Sequence, residues 1–130
     1  MPEPLLRIRD LAVTLRGAQG PVEVVSGVSI DIARGEVVAL VGESGSGKSV
    51  SALSIAGLLP EPAVANLRGE LLFDGVDLAR QSEAELRVVR GRRIAYVFQE
   101  PATALNPVFT IGYQLSEVLR LHGKPGRRRE

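Results

Sequence analysis

Residues 40–53 read LVGESGSGKSVSAL. An apolar run enters a loop of glycines and serines, a single lysine follows, and the chain becomes apolar again. Gly42 to Ser49 fits the spacing G-x-x-x-x-G-K-[ST], and each residue type has a physical reason to be there. A di- or triphosphate needs several donors converging on it, and successive backbone N–H groups in a curled loop supply them. Side chains would obstruct that approach, hence Gly42, Gly45 and Gly47. A helix that begins at the loop aims its unpaired N–H groups and its dipole at the same anion. Lys48 adds a mobile full charge for the outer phosphates, and the Ser49 hydroxyl can ligate Mg²⁺. Glu43, a negative charge beside a polyanion site, should point outward. The alternative, a flexible Gly/Ser surface turn, does not account for the apolar run before the loop and the helix after it.

Outward from the loop, the chain has 130 residues, the size of one modest domain. It is 45% hydrophobic and 24% charged, so it can bury a core. The formal net charge of +1 gives no global case for nucleic acid or an anionic membrane. Most of the basic residues lie beyond residue 66, with a cluster at Arg90, Arg92 and Arg93 and the ending KPGRRRE. No aromatic residues interleave with these arginines, so a solvated face is the better reading than a nucleic-acid patch. There is no cysteine, which excludes disulfides and thiolate metal sites and fits a reducing compartment. MPEPLLRIRD lacks the basic start and long apolar block of a signal peptide, and no apolar run approaches membrane-span length. A soluble protein is expected, reaching a membrane only through a partner.

LLRIRDLAVTL alternates as a strand, with Leu6, Ile8, Leu11, Val13 and Leu15 apolar. RGAQGP is a turn by composition, and VEVVSGVSIDI is a second strand ended by Arg34-Gly35. EVVALVG, at 36–42, has the continuous apolar character of a strand buried on both faces. A helix is predicted from about Lys48 to Leu59, apolar on most sides at Val50, Leu53, Ile55, Ala56 and Leu58, and therefore buried, with Pro60 and Pro62 stopping it. GELLFDGVDL predicts a strand, a turn at Asp74-Gly75 and a short continuation. SEAELRVVRG predicts a short helix with a capping box from Ser82 to Glu85 and Gly91 past its end. RRIAYVFQ, at 92–99, is a second strand of the buried type, followed by a loop holding Pro101 and Pro107. Thr110 can cap a helix with Ile111, Leu115, Val118 and Leu119 on one face, ended by Gly123 and Pro125.

With these segments in hand, the chain resembles the ATP-binding subunit of ABC transporters, and more narrowly the group that drives dipeptide and oligopeptide importers. LVGESGSGKS and GELLFDGVDL are typical of that group, and RRIAYVFQEPATALNPVFTIG, a strand ending in Gln and followed by acidic-Pro and LNP, is the most diagnostic. The resemblance covers nearly all of the chain and implies an α/β fold: a P-loop NTPase core, partial, with an antiparallel β-subdomain and the start of a helical subdomain. The division would be about 1–99 for the β-subdomain and core, about 100–123 for the opening of the helical subdomain, and a basic tail at 124–130.

The resemblance also implies roles. Gly42, Glu43, Ser44, Gly45, Ser46, Gly47, Lys48, Ser49 and Val50 would bind the nucleotide, and Lys48 would also serve catalysis. Gln99, at the end of a strand beside the loop, would reach Mg²⁺ or the attacking water, so Ser49 and Gln99 are the candidate Mg²⁺ ligands. The family carries an aromatic residue on the first strand to stack on adenine; Leu15 stands there, with contact area but no π face. ATP and Mg²⁺ are the implied cofactors. A second ATP-binding subunit and membrane permease subunits contacting residues 100–122 are the implied partners, with no nucleic acid, at the cytoplasmic face of the membrane.

Turnover needs more than a phosphate grip. The family supplies an apolar strand ending in Asp-Glu, a later histidine and an LSGGQ-type loop, and none of these is found. Asp74 reads as a turn residue, and His122, the only histidine, suits a helix end better than a γ-phosphate sensor. The chain therefore resembles the N-terminal part of a nucleotide-binding domain, expected to expose apolar surface, and whether it turns over ATP alone is left open. A nucleotide-binding module without turnover, or another P-loop enzyme such as a small-molecule kinase, are the alternatives; the LNP stretch argues against the kinase.

Overall fold

The apolar phase of the first strand changes at Asp10, and the sheet is built around that change. The computed structural model describes residues 3–60, 63–100 and 104–123; Pro62, Pro101, Pro125 and the basic tail lie outside the described residues. Strand β1, Leu6–Gly17, buries Leu6 and Ile8 on even positions and then Leu11 and Val13 on odd ones. A strand that kept strict alternation would turn one of these pairs to solvent. The conflict is resolved by a β-bulge: Asp10 adopts φ 48°, its N–H donates to Ser29 Oγ at 3.0 Å, and the pairing shifts between Ile8 and Leu11. Gly69 lies against this bulge at φ 104°, and a Cβ on it would come within 2.6 Å of the Arg9 and Asp10 carbonyl oxygens.

β1 turns through Ala18 and Gln19 into β2, Gly20–Ile32, as the turn composition of RGAQGP requires. β3, Val64–Phe73, pairs antiparallel with the other edge of β1. Asp74 and Gly75, both at positive φ, form the tight turn into β4, Val76–Asp77. The sheet is antiparallel, four-stranded, in the order β2-β1-β3-β4. Ile8, Leu11, Val13 and Leu71 are its most deeply buried large side chains, each worth roughly 1.5–3 kcal/mol of transfer free energy.

Helix α1, Lys48–Ile55, is shorter than the sequence predicts. Gly57, at φ 61°, ends it: its N–H donates to the Ser54 carbonyl and the Leu58 N–H to the Leu53 carbonyl, a Schellman arrangement that acts before Pro60 is reached. The most buried positions of α1 are Ser51 and Ser54, with Ala56 just beyond its end, while Val50, Leu53 and Ile55 are half-buried. The two serine hydroxyls donate to the carbonyls of Gly47 (2.9 Å) and Val50 (2.7 Å), so a polar but small face can be buried without unpaired groups.

EVVALVG and RRIAYVFQ, expected as strands buried on both faces, are not strands. Val37 is 95% exposed and Val97 is 97% exposed. Among the described residues no strand pairs with either segment, and the nearest approach to regular pairing is an isolated parallel bridge from Arg90 to Ile94. A central strand of a parallel sheet is made by the neighbours on both sides, and an apolar run alone does not make one.

The chain divides between Leu86 and Arg87 into two compact units. The division falls inside helix α2, Glu83–Val89, whose capping box forms as predicted. The Ser82 N–H and Oγ–H donate to Glu85 Oε2 at 2.7 and 2.6 Å, and the Glu85 N–H reaches back to Ser82 Oγ at 3.4 Å. These bonds, the side-chain one first, hold the Glu85 carboxyl below the usual carboxylate range. A depressed carboxyl stabilises the fold at neutral pH, above its unfolded value, and that contribution is lost as pH falls through the folded value. The Ser82 amide is therefore expected to lose exchange protection only as pH falls below the ordinary carboxylate range. Glu85→Gln, which accepts the same bonds without a charge, should remove the pH dependence, as amide NMR across pH 2–7 would show.

In the second unit, helix α3, Ile111–His122, starts at Thr110, whose Oγ1 accepts from the Tyr113 N–H at 3.2 Å. Its predicted apolar face at Ile111, Leu115, Val118 and Leu119 is exposed. His122 ends it, and its ring lies so close over Gly91 that a Cβ there would be 2.7 Å from Nε2. Gly91 itself, at φ 76°, turns the chain after α2 as expected.

Candidate functional site

The loop from Gly42 to Gly47 is curled, not extended. Gly45 at φ 79° and Gly47 at φ 88° take the left-handed turns that its glycines suggest, and the Ser46 N–H closes a turn on the Glu43 carbonyl at 3.2 Å. Lys48 folds back over the loop. Its Nζ donates to the carbonyls of Gly42 (2.7 Å) and Glu43 (2.6 Å) and to Ser46 Oγ (3.2 Å), so three acceptors from one short loop converge on one ammonium group. The fit is close: a Cβ on Gly42 would stand 2.8 Å from Ser46 Oγ. The Glu43 side chain is exposed, as expected of an acidic residue beside an anion site.

Gly47 is the N-cap of α1 and no side chain caps the helix. The first intrahelical bond is that of the Ser51 N–H to the Gly47 carbonyl at 2.8 Å. The N–H groups of Lys48, Ser49 and Val50 therefore emerge from the helix start without intrahelical acceptors, next to the ammonium group. Amides, dipole and lysine charge all favour an anion at this place.

The sheet holds the loop from behind. In the β1–β2 register Val13 faces Val25 and Thr14 faces Glu23, so Val24 is an extra residue on β2. At that bulge the Val24 carbonyl lies where a Cβ on Gly47 would be, 2.7 Å away, and Val25 Cγ2 would be at 3.1 Å. A bulge thus turns a β2 carbonyl toward the helix start and leaves room for glycine alone.

Leu15 sits half-buried on β1, paired with Val22 and Val64, an aliphatic surface in the same unit as the loop. Gln99 lies in the other unit, exposed, at a bend. It does not end a strand, which corrects the setting expected for it. Just before it, Tyr96 stacks on Phe98 with ring centroids 6.2 Å apart, and burial pushes the Tyr96 hydroxyl up to about 12, so it stays neutral. Among the described residues no group of three or more His, Cys, Asp or Glu side chains is placed to hold a metal ion, and no helix is long and apolar enough to cross a membrane.

Sequence reasoning missed Gln114 and Asn106, which bind each other's neighbourhood across eight positions: the Asn106 N–H donates to Gln114 Oε1 at 2.8 Å and Gln114 Nε2 donates to the Asn106 carbonyl at 3.0 Å. No helix or strand period links them, so no local signal could have shown the pair.

A glycine loop wrapped on a lysine ammonium at an uncapped helix start, in a mixed α/β chain, has the form that phosphate-binding loops of P-loop NTPases take. The ABC transporter family model matches residues 25–126, and the chain belongs to that family. It is 52% identical over 92% of its length to the peptidoglycan transport ATP-binding protein YejF of Agrobacterium fabrum, covering 22% of that protein. It is 46% identical over 92% of its length to the oligopeptide transport ATP-binding protein OppD of Bacillus subtilis, covering 34%. It is 47% identical over its whole length to a probable D,D-dipeptide transport ATP-binding protein, DdpD, of Escherichia coli, covering 39%. The chain thus spans between a fifth and two fifths of the length of these relatives. Family membership implies that ATP is the nucleotide bound.

Proposed function

We propose that this chain is the phosphate-gripping part of an ATP-binding subunit that powers import of dipeptides, oligopeptides or related solutes. The observation that carries the reading is the convergence of Gly42, Glu43 and Ser46 on the Lys48 ammonium at the open start of α1. Gly42 to Val50 bind the phosphates, through main-chain N–H groups and Lys48. Leu15 supplies aliphatic contact for the base in place of an aromatic ring. The names of the relatives support the peptide class of solute.

Mg²⁺ suits the donor set, a serine hydroxyl and a carboxamide oxygen being the hard ligands that this ion takes. Ser49, exposed in the first turn of α1, would hold it, and Gln99 is the further ligand that the family resemblance implies. There the ion would neutralise charge on the outer phosphates. Gln99 would also orient the attacking water. A second ATP-binding subunit completes the site, and permease subunits engage residues 100–122 at the cytoplasmic face of the membrane.

The test is ATP-dependent accumulation of labelled di- and oligopeptides in vesicles that carry the full-length subunit with its permease. Binding of ATP without any peptide-coupled turnover would refute the import assignment. In the same full-length subunit, Ser49→Ala is expected to raise the Mg²⁺ concentration for half-maximal ATP binding by roughly tenfold, the scale on which lost metal-site partners act. An unchanged Mg²⁺ titration would remove Ser49 from the metal site.

A further inference from the structure

The exposed turn before α3 is held by side-chain hydrogen bonds, most of them made by Gln114. Gln114, in the first turns of the helix, accepts from the Asn106 N–H at 2.8 Å and donates to the carbonyls of Asn106 (3.0 Å), Phe109 (3.0 Å) and Thr110 (3.5 Å). Its carboxamide pairs with both the N–H and the C=O of Asn106, as a neighbouring strand would. The same turn is tied by the Val108 N–H on Asn106 Oδ1 at 3.0 Å and the Phe109 N–H on the Asn106 carbonyl at 3.3 Å. Phe109 then stacks on Tyr113 with centroids 5.1 Å apart.

This much order is unusual for a surface turn whose side chains remain in solvent. Val108 is 82% exposed, and Leu105, Phe109 and Tyr113 are each about half exposed. Gln114 itself is half-buried. A glutamine held by four hydrogen bonds loses side-chain entropy to sit in one rotamer, and hydrogen bonds at the surface return little. The arrangement gains most where the turn must meet a protein surface already shaped, since ordering done beforehand is not charged against binding.

We propose that Gln114 is a positioning residue: it holds residues 105–110 in the conformation in which that turn engages the permease. This inference rests on the permease contact proposed above for residues 100–122. Gln114 touches neither nucleotide nor solute; it acts through the backbone of Asn106 and Phe109.

The experiment uses the full-length subunit assembled with its permease and compares Gln114→Ala, Gln114→Glu and Val108→Asp. Gln114→Glu keeps the acceptor for the Asn106 N–H and sets a carboxylate against two carbonyls, so it probes the donor half alone while leaving the helix intact. Both Gln114 variants are expected to speed amide exchange at Asn106 and Val108 by roughly tenfold, the scale of one or two lost hydrogen bonds. They are also expected to lower the ratio of permease-stimulated to basal ATP turnover by a similar factor. A uniform fall in basal and stimulated turnover together with the melting temperature would mean a merely structural residue and overturn the inference. So would unchanged exchange, or faster exchange with an unchanged ratio. Val108→Asp separates the two levels. If it leaves the ratio intact, the permease contact itself fails at this turn; if it abolishes stimulation while the Gln114 variants do not, only the role given to Gln114 fails.

Discussion

ATP binding to the full-length subunit carrying Lys48→Ala is expected to be weaker by roughly ten- to a hundredfold, the value of a hydrogen bond to a charged group. Two effects add. The outer phosphates lose a full positive charge at a place where the other donors are neutral amides. The loop also loses the group that gathers it, because the Gly42 and Glu43 carbonyls and Ser46 Oγ all bond to that ammonium. Lys48→Met separates charge from bulk, since it keeps an unbranched apolar stem. It should weaken ATP as much as alanine does, because the ammonium group makes the bonds that gather the loop. Lys48→Arg should also fail to restore binding, a planar fork being a poor replacement for a compact ammonium among three converging acceptors. Calorimetric titration with ATP and Mg²⁺ decides the matter. Equal affinity in wild type and Lys48→Ala would mean that the loop does not hold the phosphates.

What could be read from the sequence follows the range of the interactions. The Gly42–Ser49 loop was legible because its shape is local: glycines where φ is positive, a lysine one position past the last of them, and a helix starting at once. The β1–β2 hairpin, the Asp74-Gly75 turn, the Ser82–Glu85 capping box and the Thr110 cap were legible for the same reason. The segments 36–42 and 92–99 misled because an apolar run states a demand for neighbours without providing them, and no strand among the described residues meets it. The end of α1 was misplaced because proline is a louder stop signal than glycine, although Gly57 acts first.

Other features were beyond the reach of local pattern. The slip from even to odd apolar positions between Ile8 and Leu11 is visible in the sequence, and it is the trace of the Asp10 bulge. That Gly69 must be glycine because it lies against this bulge is a cross-strand fact, nearly sixty residues away. The same holds for Val24, whose carbonyl reaches the start of α1 only because β2 gains a residue there. The loop is written in eight consecutive residues, while the support that gives it a fixed place is spread over two strands.

That division can be tested with two glycines of the same loop. Gly45 and Gly47 both sit in the left-handed region, so alanine at either carries similar backbone strain, on the order of 1 kcal/mol. Their surroundings differ. A Cβ at 45 meets nothing within 4 Å, whereas one at 47 would be 2.7 Å from the Val24 carbonyl oxygen and 3.1 Å from Val25 Cγ2. Val24 cannot easily yield, because the next residue, Val25, is buried and paired with Val13 of the neighbouring strand β1. The start of α1 must move instead, taking the amides of Lys48 and Ser49 with it. Gly45→Ala is therefore expected to lower ATP affinity by no more than a few-fold, the strain alone. Gly47→Ala should lose binding by roughly a hundredfold or more and also melt earlier, with a total cost of about 3–5 kcal/mol, as is typical where a backbone clash adds to strain. The comparison needs both variants in the full-length subunit, with ATP titration and thermal melting on each. If the two alanines behave alike, then φ is all that matters in this loop and the β2 carbonyl does not fix the start of α1; if Gly47→Ala alone is crippled, the sheet is part of the nucleotide site.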